Sequence, residues 1–230
     1  MMDRLESSFT QMRQFSSDAS HELRTPLTVL KGQSELALGK ERKPEEYQEV
    51  ISSNLEEVQY MSKVLEDLFL LSKSDENQIA LDCESVDLKS LIEEVCKHAE
   101  IIASDKNIKI VIAYLEGVQV YGDPVRLRLM RWNVVVNGIK YTQHGGEVKI
   151  STRHKGGCVL ITIQDNGCGI DNDKVDELFE PFYTSRAKGT GLGLAIAKRF
   201  IELQQGSMQL QAGENEGTTA IVKLNIDPAQ

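Results

Sequence analysis

The sequence predicts an α+β chain in which a long helical hairpin precedes a domain of helices laid over one face of a mostly antiparallel sheet. Two stripes of apolar or small residues lead there. One runs through Leu5, Phe9, Met12, Phe15, Ala19, Leu23, Leu27 and Leu30, the other through Tyr47, Ile51, Leu55, Val58, Met61, Leu65, Leu68 and Leu71. Spacing by three or four marks the buried seam of an amphipathic helix. A third observation concerns the rest of the chain. There, short alternating apolar runs interleave with helical patterns, without the strict strand–helix–strand rhythm of a parallel, doubly wound sheet.

Each element follows from local chemistry. The first helix is expected from near Asp3 to about Leu38, closed by the polar turn Gly39–Lys43. Pro44 suits a first helical position, and Glu45 and Glu46 sit where the helix dipole favours acid. A short connection makes the two helices antiparallel. One hairpin cannot bury both stripes, so two copies are expected to pair as a four-helix bundle; the alternative is a monomeric hairpin packed on the rest of the chain. Ser72–Asn77 is polar and aperiodic and reads as a linker, which sets the expected domains at 1–73, a linker at 74–84 and 85–230. Beyond it we expect a short strand at Ser85–Leu88 and a helix over Leu88–Ser104. Strands at Ile108–Tyr114 and Val118–Tyr121 flank a Glu-Gly turn. A helix over Pro124–Tyr141 ends before Gly145-Gly146. Strands Val148–Thr152 and Val159–Gln164 are joined by Lys155-Gly-Gly, and a helix spans Leu194–Leu203. Strands Met208–Gln211 and Thr219–Leu224 flank Gly213–Gly217.

Composition narrows the classes. The 230 residues suffice for one large domain or two small ones, and 40% hydrophobic with 27% charged is ordinary for a soluble globular protein. A net charge of −9 and a pI near 5.1 argue against a nucleic-acid-binding surface. No apolar run approaches the roughly 18 residues of a membrane span. Cys83, Cys96, Cys158 and Cys168 are scattered, as expected of reduced, mostly buried thiols, and a zinc site is not indicated.

Chemistry concentrates first at His21. It lies two positions from both Ala19 and Leu23, about 200° around the helix from each, and so points away from the stripe. Thr25 shares its outward face and Glu22 flanks it. Pro26 has no N–H for the Glu22 carbonyl, which predicts a bend just after the histidine. An imidazole whose Nδ1–H is held by a carboxylate keeps a nucleophilic lone pair on Nε2, and Glu22 is placed to be that carboxylate. The plain alternative is a surface histidine on a coiled-coil helix.

Three further pieces point to a nucleotide. Asp165-Asn-Gly-Cys-Gly169 follows an apolar strand; a carboxylate there can accept the exocyclic amine of adenine, while Gly167 and Gly169 let backbone approach a base. Gly189-Thr190-Gly191-Leu192-Gly193 precedes a helix whose N–H groups can hold phosphates. Neither a dinucleotide fingerprint nor a P-loop is present. Asn133 and Asn137, four apart, share a helix face with Lys140 nearby. A carboxamide oxygen suits Mg²⁺ and the lysine can neutralise phosphate. Alone, such asparagines could equally cap or bond neighbouring backbone.

The run His21-Glu-Leu-Arg-Thr-Pro26 resembles the phosphoacceptor box of sensor histidine kinases. The ordered set Asn133–Thr142, Asp165–Gly169, Leu178–Tyr183, Lys188–Leu194 and Gly217-Thr218 resembles the boxes of their ATP-binding domain, of the fold shared with heat-shock chaperones and type II topoisomerases. The resemblance covers nearly the whole chain. It implies an ATP- and Mg²⁺-dependent kinase that phosphorylates its own histidine, acts as a homodimer and passes the phosphoryl group to an aspartate on a response regulator receiver domain. It further implies that Asn137 ligates Mg²⁺, that Asp165 reads adenine, and that Lys140, Gly191 and Gly193 touch phosphate. Asn133, Gly167, Gly169, Lys188, Gly189, Thr190 and Leu192 complete the implied nucleotide set, with Tyr141 and Arg186 as weaker members. The pattern His-Glu-x-x-Thr resembles members that also dephosphorylate their regulators, with Thr25 orienting a water. Arg131 and Trp132 depart from the aliphatic residues usual there, and the lid between Tyr183 and Gly189 is short.

Two other classes are weighed against this. Hydrolytic ATPases of the same fold carry a glutamate four residues before the Mg²⁺ asparagine; here that position is Asn133, and an amide cannot take a proton from water. A nucleotide-binding dimerisation scaffold without catalysis would incorporate no phosphate on histidine. The expected setting is the cytoplasmic part of a longer protein, attached to a membrane only through segments absent from this chain.

Overall fold

The computed structural model describes residues 2–75, 80–184, 189–212 and 217–226. The chain divides into two compact units: Met1–Ser72 with Pro181–Leu192, and Lys73–Glu180 with Gly193–Gln230.

The first unit is the helical hairpin of α1 (Met2–Leu38) and α2 (Pro44–Asp75). α1 runs without interruption through Pro26, which is buried. Antiparallel pairing is recorded by Gln33 Nε2 donating to Ser53 Oγ (3.1 Å) and Asn54 Nδ2 donating to Ser34 Oγ (3.2 Å). Val64 and Leu71 are buried, but Leu27, Ile51, Leu55, Val58 and Leu65 remain exposed. Half of the α2 stripe, together with Leu27 of α1, therefore faces outward from a single copy. α2 continues through Ser72–Asp75, where a linker was expected; no glycine or proline interrupts the backbone, and Lys73 in the last turn complements the helix dipole. No described helix is long and apolar enough to cross a membrane.

The second unit is the expected α+β domain. A five-stranded sheet is formed by β2 (Lys109–Tyr114), β4 (Glu147–Lys155), β5 (Cys158–Asp165), β7 (Thr218–Asn225) and β6 (Ser207–Ala212), in that spatial order. All neighbours are antiparallel except β2 and β4. Burial alternates along the strands: Val148 and Ile150, Val159, Ile161 and Ile163, and Val222 and Leu224 face the core. That period of two covers one sheet face and leaves the other to solvent. The covering helices are α3 (Leu88–Ser104), α4 (Pro124–Tyr141) and α5 (Gly193–Leu203).

Caps fix where these helices begin. Asp87 accepts from Lys89 N–H at 3.1 Å and from the Ser90 hydroxyl. Asp123 Oδ1 accepts from Val125 and Arg126 N–H at 3.0 and 3.1 Å, ahead of Pro124. Gln204 locks that cap, since its Oε1 accepts from Asp123 N–H at 2.8 Å while its Nε2 donates to the Phe200 carbonyl.

The expected hairpin around Glu116-Gly117 does not form. β3 (Gln119–Gly122) pairs instead with β1 (Glu84–Asp87) in a separate two-stranded sheet. The loop is held elsewhere: Glu116 N–H donates to Thr152 Oγ1 at 2.7 Å, its carboxylate accepts from His154 N–H at 2.6 Å, and Leu88 N–H donates to the Val118 carbonyl. Short 3₁₀ turns at Asn172–Lys174 and Glu177–Phe179 were not anticipated. Among the cysteines, Cys96 and Cys158 are buried as expected, whereas Cys168 is exposed; all four are free thiols.

Candidate functional site

In the helical unit His21 is exposed and Glu22 half-buried on successive positions of α1. Tyr60, facing them from α2, donates its hydroxyl to Glu22 Oε2 at 2.7 Å. Burial, and then the Glu22 carboxylate, push the Tyr60 phenol well above its ordinary range, so it stays protonated and remains a donor. Nothing in the local pattern singles out Tyr60, because its partner lies 38 residues away. Thr25 is exposed, and its hydroxyl donates to the His21 carbonyl at 3.3 Å. This is the long back-bond common for threonine inside helices.

The segment Pro181–Leu192 belongs to this same unit. Phe182 lies against Phe15, with ring centroids 5.6 Å apart. Thr190 Oγ1 donates to Asp67 Oδ2 at 3.3 Å, and Lys63 Nζ bonds Asp67 Oδ1 at 2.8 Å. Asp67 is a buried carboxylate that periodicity alone did not single out. Gly191, at φ +68, brings its Cα so close to the Phe182 backbone that a Cβ would meet it at 2.6 Å. Gly189 is exposed and Leu192 fully buried. Arg186 and Lys188 lie outside the described residues.

The second unit brings together most of the remaining candidates. Asn133 and Asn137 are half-buried on one side of α4, and Asn133 Nδ2 is buried with no hydrogen-bond partner. Gly193 opens α5 against it; a Cβ there would sit 3.7 Å from the Asn133 side chain. Lys140 Nζ donates to Tyr141 Oη at 3.3 Å and lies 4.8 Å from the ring centre. At the C-terminal end of α4, Lys106 Nζ donates to the carbonyls of Ile139 and Lys140 at 3.2 and 2.8 Å.

Asp165 ends β5 at the same edge. Its Oδ1 accepts from the N–H groups of Gly167 (2.9 Å) and Thr218 (3.1 Å). Burial raises its carboxyl above the usual carboxylate range, and these two backbone donors pull partly the other way. Gly167 rests on the Tyr141 carbonyl, which accepts from Cys168 N–H at 3.4 Å. Gly217 is packed harder still: a Cβ would fall 1.9 Å from the Asp165 carbonyl oxygen. Gly169 adopts φ +71. The arrangement is a half-buried carboxylate framed by glycine backbone, beside a helix face bearing two carboxamides and a lysine. An orphaned amide and a cradle that any side chain would fill suit a polar ligand carrying an amine at one end and anionic oxygens at the other.

Family models match both parts of the chain. Residues 11–77 match the His Kinase A (phospho-acceptor) domain, and residues 122–228 match the histidine kinase-, DNA gyrase B- and HSP90-like ATPase family. The sensor protein IrlS of Burkholderia pseudomallei is 31% identical over 97% of this chain and 49% of its own length. The sensor histidine kinase CusS of Escherichia coli K12 is 30% identical over 97% of this chain and 48% of its own length. The chain thus spans about half the length of these curated relatives. Among solved structures, the histidine kinase AdeS of Acinetobacter baumannii superposes with a TM-score of 0.77 at 30% identity, over 90% of this chain and 98% of that one.

Proposed function

Since the chain belongs to the sensor histidine kinases of two-component systems, we propose that it transfers the γ-phosphoryl group of ATP to His21 and then to an aspartate on a response regulator. The observation that carries this is the pairing, on one chain, of an exposed histidine beside a tethered carboxylate with an adenine-type carboxylate in a glycine frame. In this proposal phosphotransfer and dimerisation belong to 1–73 and ATP binding to 85–230, with 74–84 between them.

In this proposal His21 Nε2 attacks the γ-phosphorus as the bond to the ADP oxygen breaks, and Glu22 holds the Nδ1 proton. Tyr60 fixes Glu22 for that task. Asp165 accepts the adenine amine, and Lys140 and the N–H groups of Gly191 and Gly193 take phosphate charge; the family resemblance adds Tyr141, Arg186, Lys188, Gly189, Thr190 and Leu192 to the nucleotide set. Mg²⁺, when bound through Asn137, supplies charge neutralisation for the phosphate oxygens, which is most of what phosphoryl transfer requires. Asn133 cannot serve as a base for water, which disfavours simple hydrolysis. Incubation with γ-labelled ATP tests the reading: acid-labile, base-stable label on the protein supports it, whereas release of free phosphate without labelled protein overturns it.

Removing the phenol should leave a graded defect. Tyr60→Phe deletes one charge-assisted bond of the kind worth roughly 1.5–3 kcal/mol, so autophosphorylation should slow about 10-fold or more while nucleotide affinity holds. An unchanged rate would leave Tyr60 with a purely structural part. Thr25 concerns the reverse reaction, in which its hydroxyl orients a water toward a regulator's phosphoaspartate. Thr25→Ala should keep most autophosphorylation and lose regulator dephosphorylation; parallel decline of both would assign Thr25 to its back-bond with His21.

The outward-facing leucines and isoleucines of α1 and α2 support a homodimeric four-helix bundle, which sedimentation of the chain would report as a doubled mass. A cytoplasmic position, with membrane attachment through segments outside this chain, belongs to the same proposal.

A further inference from the structure

The five-stranded sheet has an open face, and that face is basic. Ile150 and Ile163 pair across β4 and β5, Ile161 and Val222 across β5 and β7; all four are buried and mark the side covered by helices. The alternate residues face outward. Five of them are exposed cations: Lys109 on β2, Lys149, Arg153 and Lys155 on β4, and Lys223 on β7. Among the described outward positions the only acid is Glu147, which bonds Lys149 at 2.9 Å. The other four cations form no ion pair among the described residues, on a chain whose net charge is −9.

Register sets the spacing of these charges. Arg153 pairs with Leu160 and Leu160 with Lys223, so the two cations stand two strands apart, about 10 Å, with a leucine between them. Lys149 lies about 13 Å from Arg153 along β4 and pairs with Val111 on its other side. Thr162 and Ile221, paired with each other, fill the middle of the face. The cations are thus dispersed among small and aliphatic residues. Tyr114, 55% exposed and opposite Ser151, adds a ring at the edge. At physiological ionic strength a charge acts over about 8 Å. A surface lying on this face meets the cations within that distance, while the acids of α3, Glu93 and Glu100 among them, stand a layer behind.

A partner must match two features at once, the scattered cations and the apolar residues between them. A polyphosphate strand would leave Val111, Leu160 and Ile221 against anionic oxygens. A bound peptide would need pockets for its alternate side chains. The interface of an anionic bilayer takes both features. Its headgroups carry spread negative charge, and the layer beneath them admits apolar side chains and tyrosine rings. We propose that this open sheet face docks on anionic phospholipid headgroups. In the membrane-attached setting proposed above, tethering turns a weak contact into an effective one; the docking rests on that setting only for its strength. None of the residues involved belongs to the nucleotide set, so vesicle binding can fail while the kinase reading stands.

Cosedimentation of the full chain with vesicles of phosphatidylserine and phosphatidylcholine, against phosphatidylcholine alone, tests this. Retention should appear only on the anionic vesicles and vanish at about 1 M salt, where screening shortens to about 3 Å. Each cation at an anionic bilayer is worth about fivefold in binding. Lys109→Gln, Arg153→Gln and Lys223→Gln together should therefore weaken retention about 100-fold, with the melting temperature unchanged. Removing as many charges elsewhere, at Lys31, Lys89 and Lys97, should leave retention near the wild-type level. A wild type that ignores anionic vesicles overturns the proposal, as does equal loss in the two variants or full retention of the first. Binding to a DNA oligonucleotide without binding to vesicles also overturns it and assigns the face to nucleic acid. Should the first variant fail to fold, Lys109→Gln with Lys223→Gln replaces it, with an expected loss of about 25-fold.

Discussion

His21→Gln is expected to abolish histidine phosphorylation and to leave ATP affinity at its wild-type value. Glutamine keeps a polar side chain of similar reach on an exposed helical position, so the hairpin has no reason to unfold. What it lacks is the ring nitrogen lone pair that attacks phosphorus. The loss should be at least about 10³-fold, roughly 4 kcal/mol of transition-state stabilisation. Affinity is spared because His21 belongs to a different compact unit from Asn137 and Asp165. Acid-labile, base-stable phosphate persisting on the variant would move the acceptor elsewhere, and His98, His144 and His154 would then be the histidines to examine.

The second large effect is expected at Asn137. Asn137→Ala removes the carboxamide oxygen assigned to Mg²⁺ and should lower Mg²⁺-dependent ATP affinity by roughly 100-fold or more. Histidine labelling should fall with it. Asp165→Asn should weaken binding by a different route, presenting an amide N–H to the adenine amine where a carboxylate oxygen accepted it. The two are separable by acidity. Burial holds the Asp165 carboxyl above the usual range, so on acidification the wild type begins to lose its ionised acceptor at a higher pH than an exposed aspartate would. Its affinity should decline there, while that of Asp165→Asn stays flat. A titration in which both variants bind as the wild type does would mean that the pocket lies elsewhere.

Much of this was legible in the chain itself, for identifiable reasons. Periods of 3.6 and 2 record which face of an element is buried, so α1, α2, α4 and the alternating strands could be drawn from spacing alone. The Asp123 cap ahead of Pro124 came to light only in the structure. Periodicity does not record partners. β3 was paired with the wrong strand because Glu116-Gly117 has turn composition, whereas side-chain bonds from Glu116 to β4 hold that loop open. Tyr60 and Asp67 escaped notice for the same reason, since each acts on a residue far along the chain. Gly217 was legible as a motif but not as a necessity. That it abuts the Asp165 carbonyl, 52 positions earlier, follows only from the pairing of β5 with β7. Arg131 was visible as a departure, but not as a buried charge.

The outward leucines of the hairpin also place this protein under mass action. Ile51, Leu55, Val58 and Leu65 are 66%, 54%, 46% and 54% exposed in a single copy, and covering such a side chain is worth about 1.5–3 kcal/mol. If a second copy supplies that cover, part of the folding free energy of α1 and α2 is association free energy. Dilution then acts as a mild denaturant of the hairpin alone. Its melting temperature should climb with protein concentration, while that of the sheet domain stays fixed. On the proposed function, each copy would then hold its acceptor histidine on a scaffold completed only by another copy.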